Sequence, residues 1–296
     1  MDFGRLLVAM ATPFDQSLQV DFARAEELAA RLVDRGVEGL VVCGTTGESP
    51  TLTHDEKLEL FRTVVRAVGD RARVIAGTGT NDTVATVALT RDASRTGVHG
   101  VMVVCPYYSK PSQAGLYNHF AAAAAATELP VVVYNVPTRT SKNVDPDTVL
   151  RLAQLPNVVA LKEASPDLEQ TALVCRGAPT GFFVYSGSDD LTLPQLAVGA
   201  HGVISVVGHL IPEKLGELIR AFLAGDVQRA ARLHWELLPV AKACFLPSGS
   251  PSCLKRFMEL SGFSLGGVRL PLAPADEKDT AAIGAVAEAH GLLAPA

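Results

Sequence analysis

The chain has 296 residues, 48% of them hydrophobic and 19% charged, with a net charge of -5 at pH 7. That balance fits a compact chain with a large core and excludes a disordered or fibrous one. The basic residues form no dense patch, which speaks against a nucleic-acid partner, and no apolar stretch approaches the ~20 residues that a membrane-crossing helix needs.

Taken in chain order, Leu6–Met10 is the first short apolar run. Asp21–Arg35 follows with amphipathic spacing, and Gly36 is suited to stop it in a left-handed turn. Gly39–Cys43 is a second apolar run, and Thr53-His54-Asp55-Glu56 reads as a capping box that opens the next helix. Arg73–Ala76 is the third run, followed by a helical pattern over Asp82–Arg95 that Gly97 ends. Gly100–Val104 comes next, then the alanine run Ala121–Ala126, which needs no reading beyond the helix preference of alanine. Pro130–Tyr134, Val158–Leu161, Phe182–Tyr185 and Gly202–Ser205 complete a set of eight candidate strands.

These runs recur at roughly thirty-residue intervals, the length of a strand-helix unit. They are rich in Val and Ile and alternate little, as strands covered on both faces do. The expectation is an α/β fold: a closed (β/α)8 TIM barrel over residues 1–225, with a C-terminal helical extension over 226–296. In that extension Asp226–Phe245 and Ala275–His290 read as helices, separated by a Gly/Ser/Pro stretch near Leu246–Ser252, and no strand is expected. An open doubly wound sheet is the alternative. It fits less well, because in Gly77-Thr78-Gly79-Thr80-Asn81-Asp82 an aspartate stands where a dinucleotide-binding turn needs its third glycine.

The five cysteines are odd in number and scattered, without a C-x-x-C pair, so they read as reduced and mostly buried thiols. With an N-terminus that carries no leader pattern, they set the expectation of a cytoplasmic protein. The seven histidines show no metal-ligand spacing, so no metal site is expected.

Active sites of such barrels sit at the C-terminal ends of the strands, and here those ends are rich in chemistry. Strand two ends in Gly44-Thr45-Thr46-Gly47-Glu48-Ser49, strand four in Pro106-Tyr107-Tyr108, and strand five in Tyr134-Asn135-Val136-Pro137 followed by Arg139. Strand six ends in Lys162-Glu163, strand seven in Ser186-Gly187-Ser188-Asp189, and strand eight leads from Ile204 to Gly208. A primary amine at the end of an apolar strand, if desolvated, sheds its proton readily and attacks a carbonyl carbon. The Gly-Thr-Thr-Gly loop offers N–H groups and hydroxyls to a carboxylate, and Arg139 offers a two-pronged donor to another. Tyr108, Tyr134 and Thr45 are placed to relay protons. This set suits a small carboxylated carbonyl compound.

The motifs Gly44-Thr45-Thr46-Gly47-Glu48, Pro106-Tyr107-Tyr108, Tyr134-Asn135-Val136-Pro137-x-Arg139-Thr140, Lys162-Glu163-Ala164 and Gly202-Val203-Ile204-Ser205 resemble, in order and spacing over nearly the whole chain, the dihydrodipicolinate synthase family of pyruvate-dependent class I aldolases. The resemblance implies a lyase that condenses pyruvate with L-aspartate 4-semialdehyde to 4-hydroxy-tetrahydrodipicolinate, in the diaminopimelate route to lysine. It implies that Lys162 forms the imine with pyruvate, that Thr46 holds the pyruvate carboxylate, and that Tyr134, Thr45 and Tyr108 relay protons, with Tyr108 reaching in from a neighbouring subunit. It further implies that Arg139 binds the semialdehyde carboxylate, that Gly187 and the carbonyl of Ile204 line the site, that no dissociable cofactor is needed, and that the chain assembles as a homotetramer, a dimer of dimers.

Two departures stand out. Pro247-Ser248-Gly249-Ser250-Pro251-Ser252 occupies a region where members of that family often carry an Asn-Pro motif. In the inhibitor pocket of the lysine-sensitive members, Ser49, His54, Asn81 and Tyr107 match, but Ala85 stands in place of a glutamate and Lys57 in place of a frequent histidine. Loss of a carboxylate and gain of a cation both oppose binding of a cationic amino acid. Relatives that share the imine chemistry, such as the sialic-acid and keto-deoxygluconate aldolases, are the alternative reading, and a barrel that binds keto acids without turnover is another. Arg139 speaks against the sugar-acid lyases, and the intact Lys162, Tyr134, Thr45 and Tyr108 speak against a mere binder.

Overall fold

A computed structural model describes residues 2–294. Its centre is a closed barrel of eight strands in sequence order. The strands are β1 (Leu6–Ala9), β2 (Gly39–Val42), β3 (Arg73–Gly77), β4 (Gly100–Val104), β5 (Val131–Asn135), β6 (Val158–Glu163), β7 (Phe183–Ser186) and β8 (Gly202–Ser205). Every neighbour pair is parallel, and β8 closes on β1 with Leu7 opposite Ile204.

Helices α1 (Phe22–Asp34), α2 (His54–Val68), α3 (Thr83–Ala93), α4 (Gln113–Ala124), α5 (Pro137–Thr140), α6 (Pro146–Leu152), α7 (Leu168–Gly177), α8 (Thr192–Ala197) and α9 (Pro212–Leu223) lie between and after the strands. From there on the described chain is helical: α10 (Val227–Ala243), α11 (Ser252–Leu260) and α12 (Glu277–Ala289). Among the described residues no helix is long and apolar enough to cross a membrane.

Two apolar cores explain why the strands alternate so little. Leu7, Ala9, Val41, Ile75, Met102, Val132 and Ile204 fill the barrel interior, and Phe3 packs with them. Their strand neighbours Leu6, Val8, Leu40, Val42, Val74, Ala76, Val101, Val103 and Val133 belong to the second core, packed against the helices. Both parities of each strand are buried, so both are apolar.

Local signals place the helix ends. The Asp21 side chain accepts from the Arg24 N–H at 2.9 Å, and Gly36 takes the left-handed conformation, φ +92°, just beyond α1. At α2 the Thr53 hydroxyl accepts from the Glu56 N–H at 3.2 Å while the Glu56 carboxylate accepts from the Thr53 N–H at 2.8 Å. Thr53→Ala removes one half of this reciprocal pair and is expected to cost ~1 kcal/mol, read as a lower urea midpoint at unchanged slope.

The structure departs from the local reading in two places. β5 and β6 run on to Asn135 and Glu163, so Lys162 lies inside a strand rather than beyond its end, paired with Tyr134 on one side and Tyr185 on the other. Strand length here is decided by what the neighbouring strands offer. Helix α11 follows directly on the Gly/Ser/Pro stretch, whose breakers mask a helix that begins at Ser252.

Candidate active site

Because side chains alternate across a strand, Lys162 shares the parity of Ala160 and Ala164 and points into the barrel, while Glu163 points out. Glu163 is fully buried on that outer side. It accepts from Asn135 Nδ2 at 3.0 Å, Gln170 Nε2 at 2.9 Å and the Ser165 N–H at 2.7 Å. These bonds tie the ends of β5 and β6 to α7 and hold the backbone beneath Lys162 in one place.

Lys162 is only 4% exposed. Its Nζ lies 4.3 Å from the centre of the Tyr134 ring. Burial disfavours the ammonium; the Asp189 carboxylate opposes that effect and the Arg139 guanidinium reinforces it, leaving the amine at a pKa of about 8. At pH 7 about a tenth of such amines are neutral, against roughly one in 3,000 for an ordinary lysine. Tyr134 is buried too. Burial raises its phenol's pKa, while Arg139 and the Thr45 hydroxyl hold it back.

Thr45 and Thr46 sit on a turn closed by the Glu48 N–H donating to the Thr45 carbonyl at 3.1 Å. Cys43 and Glu48, the residues flanking it, both adopt left-handed backbone, at φ +57° and +55°. That conformation is uncommon outside glycine and persists only where the surroundings impose it. Thr12 Oγ1 supports the turn by donating to the Gly47 carbonyl at 2.7 Å.

Arg139 comes from α5, which Pro137 starts one residue after Val136. Its Nη2 lies 3.4 Å from the carbonyl oxygen of Ser250. Asp189, just past β7, is buried, and it accepts from the Ser205 hydroxyl and from the N–H groups of Val206 and Val207 at 2.9 and 3.1 Å. It thereby welds the end of β7 to the end of β8.

One cavity of about 670 Å³ brings Thr45, Thr46, Tyr134, Arg139, Lys162 and Gly187 together. Asp189, Val206, the end of α10 at Ala241 and Lys242, and Phe245 just beyond it add to its wall. Ile204 is buried within β8, and Val206 rather than Ile204 faces this cavity. Tyr108 stands apart: it is 88% exposed, on left-handed backbone at φ +73°. A second cavity of about 340 Å³ adjoins Thr45 and Tyr134 and is lined by Ser49, Lys57 and Tyr107. His54 and Asn81 lie outside it on the exposed surface, with His54 Nε2 3.1 Å from Asp92.

Asp189 is the residue of this site whose role local reading misses. The sequence shows only an acid after a Gly-Ser turn. Its burial and its partners on β8 come from barrel closure. The thiols are unsuited to nucleophilic work, since burial raises Cys43 to about 12 and Cys105 and Cys253 to about 11.

A (β/α)8 barrel with a desolvated amine inside its C-terminal mouth, flanked by a phenol, two threonines and an arginine, is the architecture of a Schiff-base-forming lyase. The model of the dihydrodipicolinate synthetase family matches residues 2–290, and the chain belongs to that family. Over 293 residues it is 55% identical to the 4-hydroxy-tetrahydrodipicolinate synthase of Moorella thermoacetica, covering 99% of this chain and 100% of the relative. It is 52% identical to the enzyme of the same name from Heliobacterium modesticaldum, covering 99% of this chain and 97% of that one. The crystal structure of a dihydrodipicolinate synthase from Bacillus anthracis superposes with a TM-score of 0.95 at 45% identity, over 97% of this chain and 98% of that one.

Proposed function

We propose that Lys162 is the nucleophile with which this enzyme condenses pyruvate and L-aspartate 4-semialdehyde to 4-hydroxy-tetrahydrodipicolinate. The observation that carries the reading is the buried Lys162 amine, beside the Tyr134 ring, in one cavity with Thr45, Thr46 and Arg139. Its neutral form adds to C2 of pyruvate, and the adduct loses water to give a protonated imine. That cation is an electron sink. It lets a methyl proton leave as an enamine forms, and the enamine carbon attacks the semialdehyde's aldehyde carbon. The semialdehyde's own amine then displaces Lys162 from the imine carbon, which closes the ring and frees the enzyme.

Thr46 holds the pyruvate carboxylate, and Arg139 holds that of the semialdehyde. Gly187 leaves room along the wall, and Val206, two residues beyond Ile204, borders it past the end of β8. Tyr134 and Thr45 pass protons, and Tyr108 extends the relay from a second subunit. Its near-complete exposure on left-handed backbone supports that reading, since a tyrosine held outward has little to gain in a lone chain. The assembly is therefore at least a dimer, and we read it as a tetramer of two such dimers, working in the cytoplasm. The catalytic barrel spans 1–225 and its helical appendage 226–296, of which residues 1, 295 and 296 lie outside the described residues.

The test is borohydride reduction in the presence of pyruvate, followed by peptide mass measurement. One reduced pyruvyl group on Lys162 is expected, and the same experiment with competing aldehydes ranks aspartate semialdehyde above sugar aldehydes. A chain that takes up no pyruvyl group refutes the assignment.

Feedback inhibition by lysine is expected to be weak or absent. The smaller cavity, lined by Ser49 and Tyr107, carries the Lys57 amine and no carboxylate in its wall among the described residues. A free lysine needs a carboxylate for its amine. A coupled assay that shows clear inhibition by sub-millimolar lysine contradicts this.

A further inference from the structure

The catalytic threonines are braced from the far end of the chain. Glu48 closes the Gly44–Glu48 turn, and its side chain is wholly buried. One carboxylate oxygen meets Lys255 Nζ of α11 at 2.7 Å. The other accepts from the Arg269 N–H at 2.9 Å. Lys255 Nζ also donates to the Gly267 carbonyl at 2.6 Å and sits 4.2 Å from the centre of the Phe14 ring. The Arg269 guanidinium lies 4.5 Å from that same ring. It donates to the Thr51 carbonyl at 3.0 Å and grips both oxygens of Glu56 at 2.6 and 2.9 Å. The stretch from Glu48 to Glu56 is thus held at both ends by residues more than 200 positions away.

A buried ion pair of this kind is a poor way to gain stability. Two charges withdrawn from water lose about as much as they recover, and apolar residues of the same size often do better. What a fixed carboxylate between two fixed donors does supply is geometry. It holds left-handed backbone at Glu48, which alone would relax, and so sets the direction of the two threonines before it.

We propose that Glu48 and Lys255 are positioning residues for pyruvate: a strut that aims Thr45 and Thr46 at the keto acid without touching it. The inference rests on the functional reading above and goes beyond it, since it assigns α11 and the Gly267–Arg269 segment a part in substrate binding.

The test removes both charges together in Glu48→Gln/Lys255→Met, so that neither is left alone in the core. The full-length protein is compared with the unaltered one. The expected result is a cooperative melt, a KM for pyruvate raised ~10-fold, as a misplaced binding group produces, and a KM for aspartate semialdehyde within about twofold of wild type. Amide hydrogen exchange over residues 44–49 is expected to quicken by a similar factor while that of β6 is unchanged. A purely structural pair would lower the melting temperature and the active fraction, move neither KM, and loosen the barrel generally. Unchanged exchange over 44–49, or an unchanged KM for pyruvate, overturns the proposal. If the double variant does not fold, Glu48→Gln alone keeps the side chain's shape and one accepting oxygen but puts an amide nitrogen, which cannot accept, against the other donor, and the same two readouts decide. A failure of the functional reading shows separately, as no pyruvyl adduct on the unaltered chain; hydrogen exchange still reads the strut in that case.

Discussion

Lys162→Met gives a protein that melts above the wild type at pH 7, forms no reduced pyruvyl adduct and has lost about 10⁴-fold or more of its condensing activity. The one gain and the two losses have one cause. The amine's pKa is about 8 in the folded chain against an ordinary lysine value of 10.5. Below pH 8 the folded state must carry an ammonium in a place that disfavours it, so the amine is a burden on stability. The unfolded chain keeps its proton up to about pH 10.5, so between these two values it binds more protons than the folded one, and stability rises with pH. The burden amounts to roughly 3 kcal/mol at neutral pH. Methionine is of similar length and apolar, and it fills the space without the charge. The melting advantage of Lys162→Met should therefore be largest below pH 8 and vanish towards pH 10.5. A variant that melts lower than wild type at pH 7, or an adduct that persists on another lysine, refutes this account. In the wild type the rate of imine formation should rise with pH, reach half its plateau near pH 8, where half the amines are neutral, and level off above that, rather than titrating near 10.5.

Arg139→Leu separates the two halves of the reaction. The variant still traps pyruvate on Lys162, because the threonine turn and the amine are intact. Its kcat/KM for aspartate semialdehyde falls about 10²–10³-fold, the consequence of losing ~3–4 kcal/mol of paired, charge-assisted hydrogen bonds to the carboxylate. Arg139 has a second effect. Its positive charge lowers the pKa of Lys162 and that of Tyr134. Without it both groups titrate higher, so the neutral fraction of Lys162 at pH 7 shrinks, and the pH profile of imine formation moves to the alkaline side. Single-turnover trapping across pH reads that shift independently of the second substrate. A semialdehyde kcat/KM within threefold of wild type removes Arg139 from the proposed role.

Much of this was legible in the residues alone. The eight apolar runs, the Thr53–Glu56 capping box and the glycine that ends α1 are local features, decided by a few neighbouring residues, and they set the number and order of the units. The chemistry-bearing strand ends were legible for the same reason: each is a short motif next to a recognisable run. The resemblance to the dihydrodipicolinate synthase family rested on those motifs, and the family match over residues 2–290 agrees with it.

What the tertiary structure decided is what depends on closure. Lys162 belongs inside β6, because Tyr134 and Tyr185 flank it in register. Its amine is acidic because the barrel interior excludes water, and Asp189 faces it only because β7 and β8 come together there. Glu48 and Lys255 are 207 positions apart in the chain, yet their charged atoms lie 2.7 Å apart, buried between the threonine turn and α11. No local pattern announces such a pair. Propensity and capping act over a turn or two of chain, whereas desolvation and charge pairing act through space, and only the folded barrel says which residues share that space.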